Sequence, residues 1–348
     1  MTPKGKDSRF CIIGGGGLPC LFIHELVNYN FVKPLIMTWK GHLHSRDRML
    51  LKDSPFYEDI FKVCDNYDIP LLEVENPNKS KFLDVLDKEG IDIVFSICSR
   101  WIFSKHFIKS FKGKIINIHL GDLPQERGGA IVSRKILNGN NMASATIHVI
   151  TPAIDQGPII YKDNLEVKAK YPTVHSFNEY ENKIAKKLFK QLLEDLVSGK
   201  EDLFIGTKQD DEQSIYLPQL YTEVNGAIDW SWTANEIERF IRAFGPPFPG
   251  AFTFYGKEKV SILKSSIRNS PYNFHPYYSG RIIGKKDDGS VKVAVGKKIL
   301  IIHEIRYKGD LIVPSSVLKL SRILHTPIET LEIARTDLVK YDKMEPPN

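Results

Sequence analysis

One amide, one imidazole and one carboxylate in this chain have types and spacing suited to moving an acyl group. Asn117 and His119 are two positions apart, and Asp155 follows later in an Ile-Asp-Gln-Gly turn. In an extended strand, residues i and i+2 point to the same side, so Asn117 and His119 can reach one reacting centre together. Taken singly, each residue is better explained by a structural role. Asn117 would hold a loop, His119 would be an interior histidine with its hydrogen bonds satisfied, and Asp155 would cap a turn. Taken together, they predict a reaction centre.

The elements that must position these residues are the short strands of an α/β domain. The first two hundred residues alternate short apolar runs with amphipathic stretches, a pattern typical of a mostly parallel, doubly wound (Rossmann-like) sheet covered by helices. The run Ile115–His119 is one predicted strand, and the next covers residues 145–150. Ligands bind at the carboxyl edge of such sheets. The sequence therefore predicts that the polar groups lie at the ends of two neighbouring strands.

The second half of the chain has a different pattern. Thr233 and Glu236 form a capping-box signature, which predicts a short helix that begins near Ala234. From Ala251 onward, apolar residues alternate every two positions between turn signals, which predicts a smaller antiparallel β domain of the OB type. The expected domains are a catalytic domain (residues 1–205), a linker with the short helix (206–250) and the OB-like domain (251–348).

Composition excludes some classes of protein. With 42% hydrophobic and 26% charged residues, the 348-residue chain is an ordinary globular protein. A net charge of +6 favours anionic small molecules more than a dedicated nucleic-acid surface. The four widely spaced cysteines have no zinc-site spacing, and no secretory signal or apolar span is evident, so we expect a cytoplasmic protein.

The glycine run from Gly14 to Gly17 raises the possibility of a dinucleotide site. The dinucleotide fingerprint fails, because Pro19 or Cys20 stands where its third glycine belongs. A tight turn from strand to helix is the better interpretation.

Several motifs carry a family resemblance: Ile116-Asn117-Ile118-His119, Leu123-Pro124 with Arg127-Gly128, Ala145-Thr146-Ile147-His148, and the Ile154 to Ile160 turn. They resemble the core of the folate-dependent formyltransferases, which include methionyl-tRNA formyltransferase, glycinamide ribonucleotide transformylase and the sugar N-formyltransferases. Further motifs, including Ile228-Asp229-Trp230 and Pro249-Gly250-Ala251, are similar to the segment that leads into the C-terminal barrel of the two-domain members.

The resemblance implies that N10-formyltetrahydrofolate donates a formyl group to a primary amine without a metal. It also implies that Asn117, His119 and Asp155 are catalytic. The Asn117 amide and a protonated His119 would donate hydrogen bonds to the developing oxyanion, while Asp155 would hold the imidazolium and accept the amine proton. By position, the donor would be bound by Arg100, Trp101, Ile102, Leu123 and Pro124.

The acceptor is less constrained by the sequence. Leu120-Gly121-Asp122 replaces the family's usual Ser-Leu-Leu-Pro after the histidine, and the basic segment at residues 40–51 lacks a long Arg/Gly-rich insertion. Both features argue against a housekeeping tRNA enzyme and favour the amine of a nucleotide-linked amino sugar, with Tyr221, Arg242 and Phe244 as candidate acceptor-binding residues. Two alternatives stay open: a methionyl-tRNA formyltransferase that uses the lysines of the β domain, and a formyltetrahydrofolate hydrolase. A homodimer is expected by resemblance to the sugar enzymes.

Overall fold

The computed structural model describes residues 7–41, 48, 57–200 and 202–336. Most of the basic segment at residues 40–51 therefore lies outside the described residues. The chain forms two compact units that are interleaved along the sequence. The first consists of residues 1–128, 142–167 and 178–217, and the second of residues 129–141, 168–177 and 218–348. The domain limits expected from the sequence stay predictions.

The first unit is built on a seven-stranded sheet with the order β3-β2-β1-β4-β5-β7-β8. The strands are β1 (Phe10–Gly14), β2 (Leu35–Thr38), β3 (Leu71–Glu73), β4 (Ile93–Ile97), β5 (Ile115–His119), β7 (Met142–Val149) and β8 (Ile159–Glu166). Strands β1 to β5 are parallel, whereas β7 pairs antiparallel with both β5 and β8. A separate two-stranded sheet joins β6 (Arg127–Gly128) to β9 (Tyr216–Leu217).

Helices accompany this sheet: α1 (Gly17–Asn28), α2 (Ile60–Tyr67), α3 (Ser80–Lys88), α4 (Lys105–Ser110) and most of α6 (Val174–Ser198). Helix α6 carries an apolar stripe on its packed face, where Ile184, Leu188, Leu192 and Leu196 are all buried. It stops before Gly199, whose φ of 72° is the left-handed geometry favoured at helix ends. None of the described helices has the length and apolarity needed to cross a membrane.

The predicted α/β class is confirmed, but the sequence did not reveal strand β8. This strand lies at the edge of the sheet and is largely exposed, so polar residues such as Lys162 and Asp163 replace an apolar run. Without β8, the direction of β7 could not be inferred. The two strands that carry Asn117, His119 and His148 are neighbours, as the sequence predicts, but they run antiparallel.

The second unit contains an antiparallel sheet, as predicted, with the order β12-β13-β14-β11-β10-β16 and β15 paired with β14. Its strands are β10 (Ala251–Tyr255), β11 (Glu258–Asn269), β12 (Ile282–Lys285), β13 (Val291–Val295), β14 (Lys298–Tyr307), β15 (Asp310–Ile312) and β16 (Leu324–His325). Its helices are α5 (Ile131–Asn138), α7 (Thr222–Asn225), α8 (Ala234–Ala243), α9 (Pro314–Val317) and α10 (Ile328–Thr336). The capping box at Thr233 and Glu236 is present, so the predicted start of α8 is confirmed.

Candidate active site

Strands β5 and β7 place three polar side chains on one face of the sheet. Asn117 lies directly opposite His148 in the antiparallel register, and opposed residues project to the same face. Because Asn117 and His119 are two positions apart on β5, His119 shares that face. The Asn117 Nδ2 atom is 3.0 Å from His148 Nε2.

His119 is buried and has a defined tautomer. Its Nε2 atom lies 2.5 Å from the main-chain oxygen of Glu126, and a carbonyl oxygen can only accept, so Nε2 carries the proton. The other ring nitrogen, Nδ1, faces Asp155 Oδ2 at 3.8 Å. The space around the ring is restricted, because a Cβ at Gly121 would lie 2.5 Å from Nε2. Glycine at position 121 therefore lets the loop pass the imidazole closely.

Asp155 reaches the cluster from the loop between β7 and β8. Its Oδ2 atom accepts a hydrogen bond from the Gly128 N–H at 2.9 Å, and its Oδ1 atom lies 3.6 Å from His148 Nε2. The residue has a φ of 53°, a left-handed conformation that non-glycine residues seldom adopt. The carboxylate thus lies between two imidazoles. Asn117, His119 and Asp155 do converge, with His148 between the amide and the carboxylate.

The main chain around Asp155 is held by a buried side-chain network. Gln209 Nε2 donates to the main-chain oxygens of Asp155 at 2.8 Å and of Gly157 at 2.7 Å. Arg127 in turn donates to Gln209 Oε1 through Nε at 3.1 Å and Nη2 at 2.8 Å. At Gly157, a Cβ would approach Val149 O to 1.7 Å, so only glycine fits. The unusual backbone of Asp155 is therefore fixed by groups distant in sequence.

Burial and neighbouring charges set the protonation of this cluster. Burial lowers the pKa of His119, the charge of Asp155 raises it without fully offsetting burial, and the neighbouring His148 lowers it further. For Asp155, burial raises the pKa, but the neighbouring His148 ring, whose Nε2 lies 3.6 Å from Oδ1, the neighbouring His119 and the Gly128 N–H together lower it below its ordinary value. The resting pair is a neutral imidazole beside a carboxylate. The protonated His119 that the resemblance implies during the reaction stays a prediction.

Sequence reasoning left His148 out of the candidate catalytic residues. It was visible in the Ala145 to His148 motif, but its role depends on the antiparallel register that sets it opposite Asn117. His148 Nδ1 lies 3.0 Å from the main-chain oxygen of Val149, which fixes the proton on Nδ1. Nε2 therefore accepts from the Asn117 amide. His148 orients that amide.

The loop after His119 contains the predicted donor residues Leu123 and Pro124, both buried. Thr146 Oγ1 donates to the main-chain oxygen of Gly121 at 2.7 Å, which fastens the loop to β7. Asp122, the departure from the usual motif, pairs with Lys162 Nζ at 2.9 Å. Its charge is thereby partly compensated.

Arg100, Trp101 and Ile102 lie in the loop that follows β4. The Arg100 guanidinium lies 4.7 Å from the ring centroid of Trp39, and the Trp101 ring is 6.0 Å from the same ring. Ile102 is half exposed. Trp39 also packs on the glycine turn, where a Cβ at Gly15 would come within 2.5 Å of its ring. The tight turn predicted for the glycine run is present, and an aromatic and cationic cluster adjoins it.

The three predicted acceptor residues belong to the second unit. Arg242 forms a forked ion pair with Glu238, with Nε to Oε1 at 2.6 Å and Nη2 to Oε2 at 3.0 Å. Phe244 is buried, and its ring centroid lies 4.7 Å from that of Phe240. Tyr221 precedes α7, and its N–H donates to Asn225 Oδ1. Their role in binding an acceptor stays a prediction.

Within the described ranges, no group of three or more His, Cys, Asp or Glu residues could hold a metal ion.

Two protein-family models match this chain. The formyl transferase family model matches residues 48–194, and the model of the formyl transferase C-terminal domain matches residues 222–319. The chain is 28% identical over 277 residues to the bifunctional polymyxin resistance protein ArnA of Wigglesworthia glossinidia brevipalpis. The match covers 73% of this chain but only 42% of that protein. It is 27% identical over 259 residues to methionyl-tRNA formyltransferase of Rickettsia felis, covering 74% of this chain and 79% of the relative.

A solved structure shares the fold. The N-formyltransferase of Helicobacter canadensis, in complex with folinic acid and dTDP-3-aminofucose, superposes with a TM-score of 0.60 at 19% identity. The match covers 85% of this chain and 98% of that one.

Proposed function

This chain belongs to the formyltransferase family, and from that premise we propose that it moves a formyl group from N10-formyltetrahydrofolate to the primary amine of a nucleotide-linked amino sugar. The observation that carries the proposal is the cluster of the buried His119 and His148 with the half-buried Asn117 and Asp155. It combines an oriented amide donor with an imidazole and carboxylate pair that can take up one proton.

Asn117 stabilises the charge that develops on the formyl oxygen. One N–H of its amide is directed at His148 Nε2, which fixes the side chain and leaves the second N–H to donate to that oxygen. One such preorganised donor is typically worth about 3 kcal/mol of transition-state stabilisation. The amide needs no reorganisation during the reaction, because His148 is itself held by Val149 O.

His119 and Asp155 move the proton. As the amine nitrogen bonds to the formyl carbon, the nitrogen loses a proton to the pair, and the resulting imidazolium is stabilised by the Asp155 carboxylate. The pair returns the proton to the folate nitrogen as its bond to the formyl carbon breaks. The products are a formamide and tetrahydrofolate, and the pair ends in its starting state. The lowered pKa of His119 suits this role, because an acceptor of a proton must begin neutral.

The donor is held by the loops that flank this cluster. We assign Arg100, Trp101 and Ile102 to the pterin side and Leu123 with Pro124 to the loop that closes the folate pocket. The residues fit such a group, since the half-exposed Ile102 and the ring of Trp101 offer apolar surface beside the Arg100 cation. An apolar wall with few polar groups is typical of small-molecule sites.

The choice of acceptor is supported by the similarity in fold to an N-formyltransferase whose crystals contain dTDP-3-aminofucose. Tyr221, Arg242 and Phe244 are our candidates for the acceptor side. A homodimer is part of the same proposal and is tested by light scattering.

The test is mass spectrometry of nucleotide-linked amino sugars after incubation with the formylated donor. We expect one sugar to gain a single formyl group, and we expect Asp155→Asn to abolish the gain. Asp163→Asn, which changes an aspartate paired with Lys187 in the same unit, is the matched control. No formylated product from any sugar would contradict the proposed acceptor, and release of formate without an acceptor would indicate the hydrolase.

Methionyl-tRNA is the second candidate acceptor. It is supported by the 27% sequence identity to the Rickettsia felis methionyl-tRNA formyltransferase in a match that covers 79% of that enzyme. The same reaction cluster would serve either amine. Binding to tRNA distinguishes the two.

A further inference from the structure

The second unit contains a cavity of about 240 Å³ whose lining includes Arg242, a candidate for the acceptor side, but no residue assigned above to catalysis or donor binding. Its wall is formed by the end of α5, the segment at residues 170–172, one face of α8 and part of β11. The lining residues that matter for its chemistry are Gly139, Asn141, Lys170, Tyr171, Arg239 and Arg242.

Helix α8 turns a polar face towards this cavity. Asn235, Glu238, Arg239 and Arg242 recur at intervals of three and four and all line it. The opposite side of the helix carries buried apolar residues such as Ile237. This stripe of polar and charged side chains could contact a polar ligand in the cavity.

The charges of the wall do not cancel. Arg242 is neutralised by its forked ion pair with Glu238. Arg239 and Lys170 form no salt bridge with any other described residue, and the nearby carboxylate of Glu236 is engaged by the N–H and hydroxyl of Thr233. Two cations therefore face the cavity without a carboxylate bound to them.

Arg239 also has an unmet hydrogen-bonding requirement. Its Nε atom is shielded from solvent and has no hydrogen-bond partner among the described residues. Buried donors without an acceptor are rare, because each costs about 1–3 kcal/mol. The guanidinium lies close to Gly139, because a Cβ at that position would be 3.0 Å from Arg239 Nη1. The structure thus makes room for a guanidinium whose acceptor is missing.

Tyr171 provides a flat aromatic surface beside these cations. Its side chain is 49% exposed, and the Lys170 ammonium lies 5.4 Å from its ring centroid. An exposed aromatic ring beside an arginine and a lysine is suited to a ligand with a planar ring and a phosphate group. The cavity is smaller than the usual range for whole drug-sized ligands, so it fits the phosphate portion, with Tyr171 near the base.

We propose that this cavity, the α8 pocket, binds the diphosphate group of a nucleoside diphosphate. Arg239 and Lys170 bind the phosphate oxygens, and the base stacks on Tyr171. The assignment stands on the residues of the second unit and does not depend on formyl transfer.

The experiment is calorimetric titration of the full-length protein at low ionic strength with two probes, inorganic pyrophosphate and thymidine diphosphate. We expect saturable binding of both, with thymidine diphosphate bound more tightly. Arg239→Gln and Lys170→Gln should each weaken both probes at least tenfold. Arg322→Gln removes an exposed arginine of the same unit outside the pocket and should leave both affinities within twofold. Thermal unfolding checks that each variant folds.

The proposal would be overturned if Arg239→Gln and Lys170→Gln bind both probes as tightly as the wild type does. It would also be overturned if the wild type does not bind pyrophosphate. Tyr171→Ala separates the two parts of the ligand. If Tyr171→Ala weakens the binding of thymidine diphosphate but not of pyrophosphate, the result supports contact between the nucleoside and Tyr171. If Tyr171→Ala binds thymidine diphosphate as tightly as the wild type does, stacking of the base is refuted. A protein that fails to formylate any sugar but shows this binding pattern contradicts only the proposed function.

Discussion

The imidazole of His119 lies beside a carboxylate and near a second imidazole, and these neighbours act on its pKa in opposite directions. Burial is the largest influence and favours the neutral ring. The neighbouring His148 acts in the same direction, and the charge of Asp155 opposes both. The ionisation of one residue therefore reports the geometry of the whole cluster.

This arrangement predicts the pH dependence of formyl transfer. Since His119 must be neutral to accept a proton, kcat/KM should be constant near neutral pH and fall as the pH drops below an apparent pKa that is lower than the ordinary histidine value of about 6.5. His148→Gln removes the neighbouring imidazole that lowers the pKa of His119, so this pKa rises and the acid limb moves to higher pH. The measurement is the pH profile of both proteins. An acid limb that does not move, or moves down, would disprove the coupling.

Asp155 should contribute more to the rate than to stability. Replacing it with asparagine keeps the volume and the hydrogen bond from Gly128 but removes the charge that stabilises the imidazolium. We expect kcat to fall by roughly 10²–10⁴-fold, with donor binding retained. Steady-state kinetics and a donor titration test this, with Asp163→Asn as the control. Activity within a few-fold of wild type would remove Asp155 from the mechanism.

At the scale of elements, the loop between β7 and β8 is positioned by the connector that follows α6. Gln209 donates to two carbonyl oxygens of the loop while Arg127 fixes the Gln209 amide. Gln209→Glu keeps the acceptor for Arg127 but loses both donors, so Asp155 is less well placed.

We expect Gln209→Glu to lower kcat by at most about thirtyfold, since two hydrogen bonds of roughly 1 kcal/mol each amount to about 2 kcal/mol, with little change in the KM for the donor. Gln213→Leu, which changes an exposed amide of the same connector, should match the wild type. A purely structural role would instead lower the melting temperature and leave kcat and the pH profile of the folded enzyme unchanged.

The capping box that begins α8 gives a prediction about stability. Thr233 accepts from the Glu236 N–H, and the Glu236 carboxylate accepts from the Thr233 N–H. Thr233→Ala should reduce the free energy of unfolding of the second unit by about 1 kcal/mol, measured by chemical denaturation. Thr233→Ser keeps the hydroxyl and should be close to wild type. Equal losses in both variants would show that the methyl group matters instead of the cap.

The same elements show how far sequence reasoning could reach. Helix α6, the start of α8 and strands β1 and β5 were predictable, because local apolar spacing and capping residues determine them. Strand β8 was not, because an exposed edge strand has no apolar signature. His148 was missed for a related reason. Its contact with Asn117 depends on strand register, which is a long-range property.

At the scale of the whole molecule, the proposed reaction cluster lies in the first unit and the α8 pocket in the second. The two can therefore be altered independently. A variant at Arg239 tests nucleotide binding without touching Asn117, His119 or Asp155, which makes the two proposals separable by experiment.

The net charge of +6 bears on the choice between a sugar and a tRNA acceptor. Several lysines of the second unit that could contact phosphates are already paired with carboxylates. Lys264 lies 3.5 Å from Glu304, Lys286 lies 3.0 Å from Asp288, and Lys308 lies 3.9 Å from Glu258. These exposed pairs reduce the positive field available to a polyanion.

We therefore expect weak binding to methionyl-tRNA with a shallow salt dependence. A protein that neutralises six to ten phosphates loses about 10³–10⁵ in affinity between 50 and 200 mM salt. Filter binding across that range should show less than a tenfold change here, and formylation of methionyl-tRNA should be slow beside that of the preferred amino sugar. A steep salt dependence together with rapid formylation of the tRNA would reverse the order of the two acceptors. The reaction cluster would be unaffected, because it acts on the amine and not on what carries it.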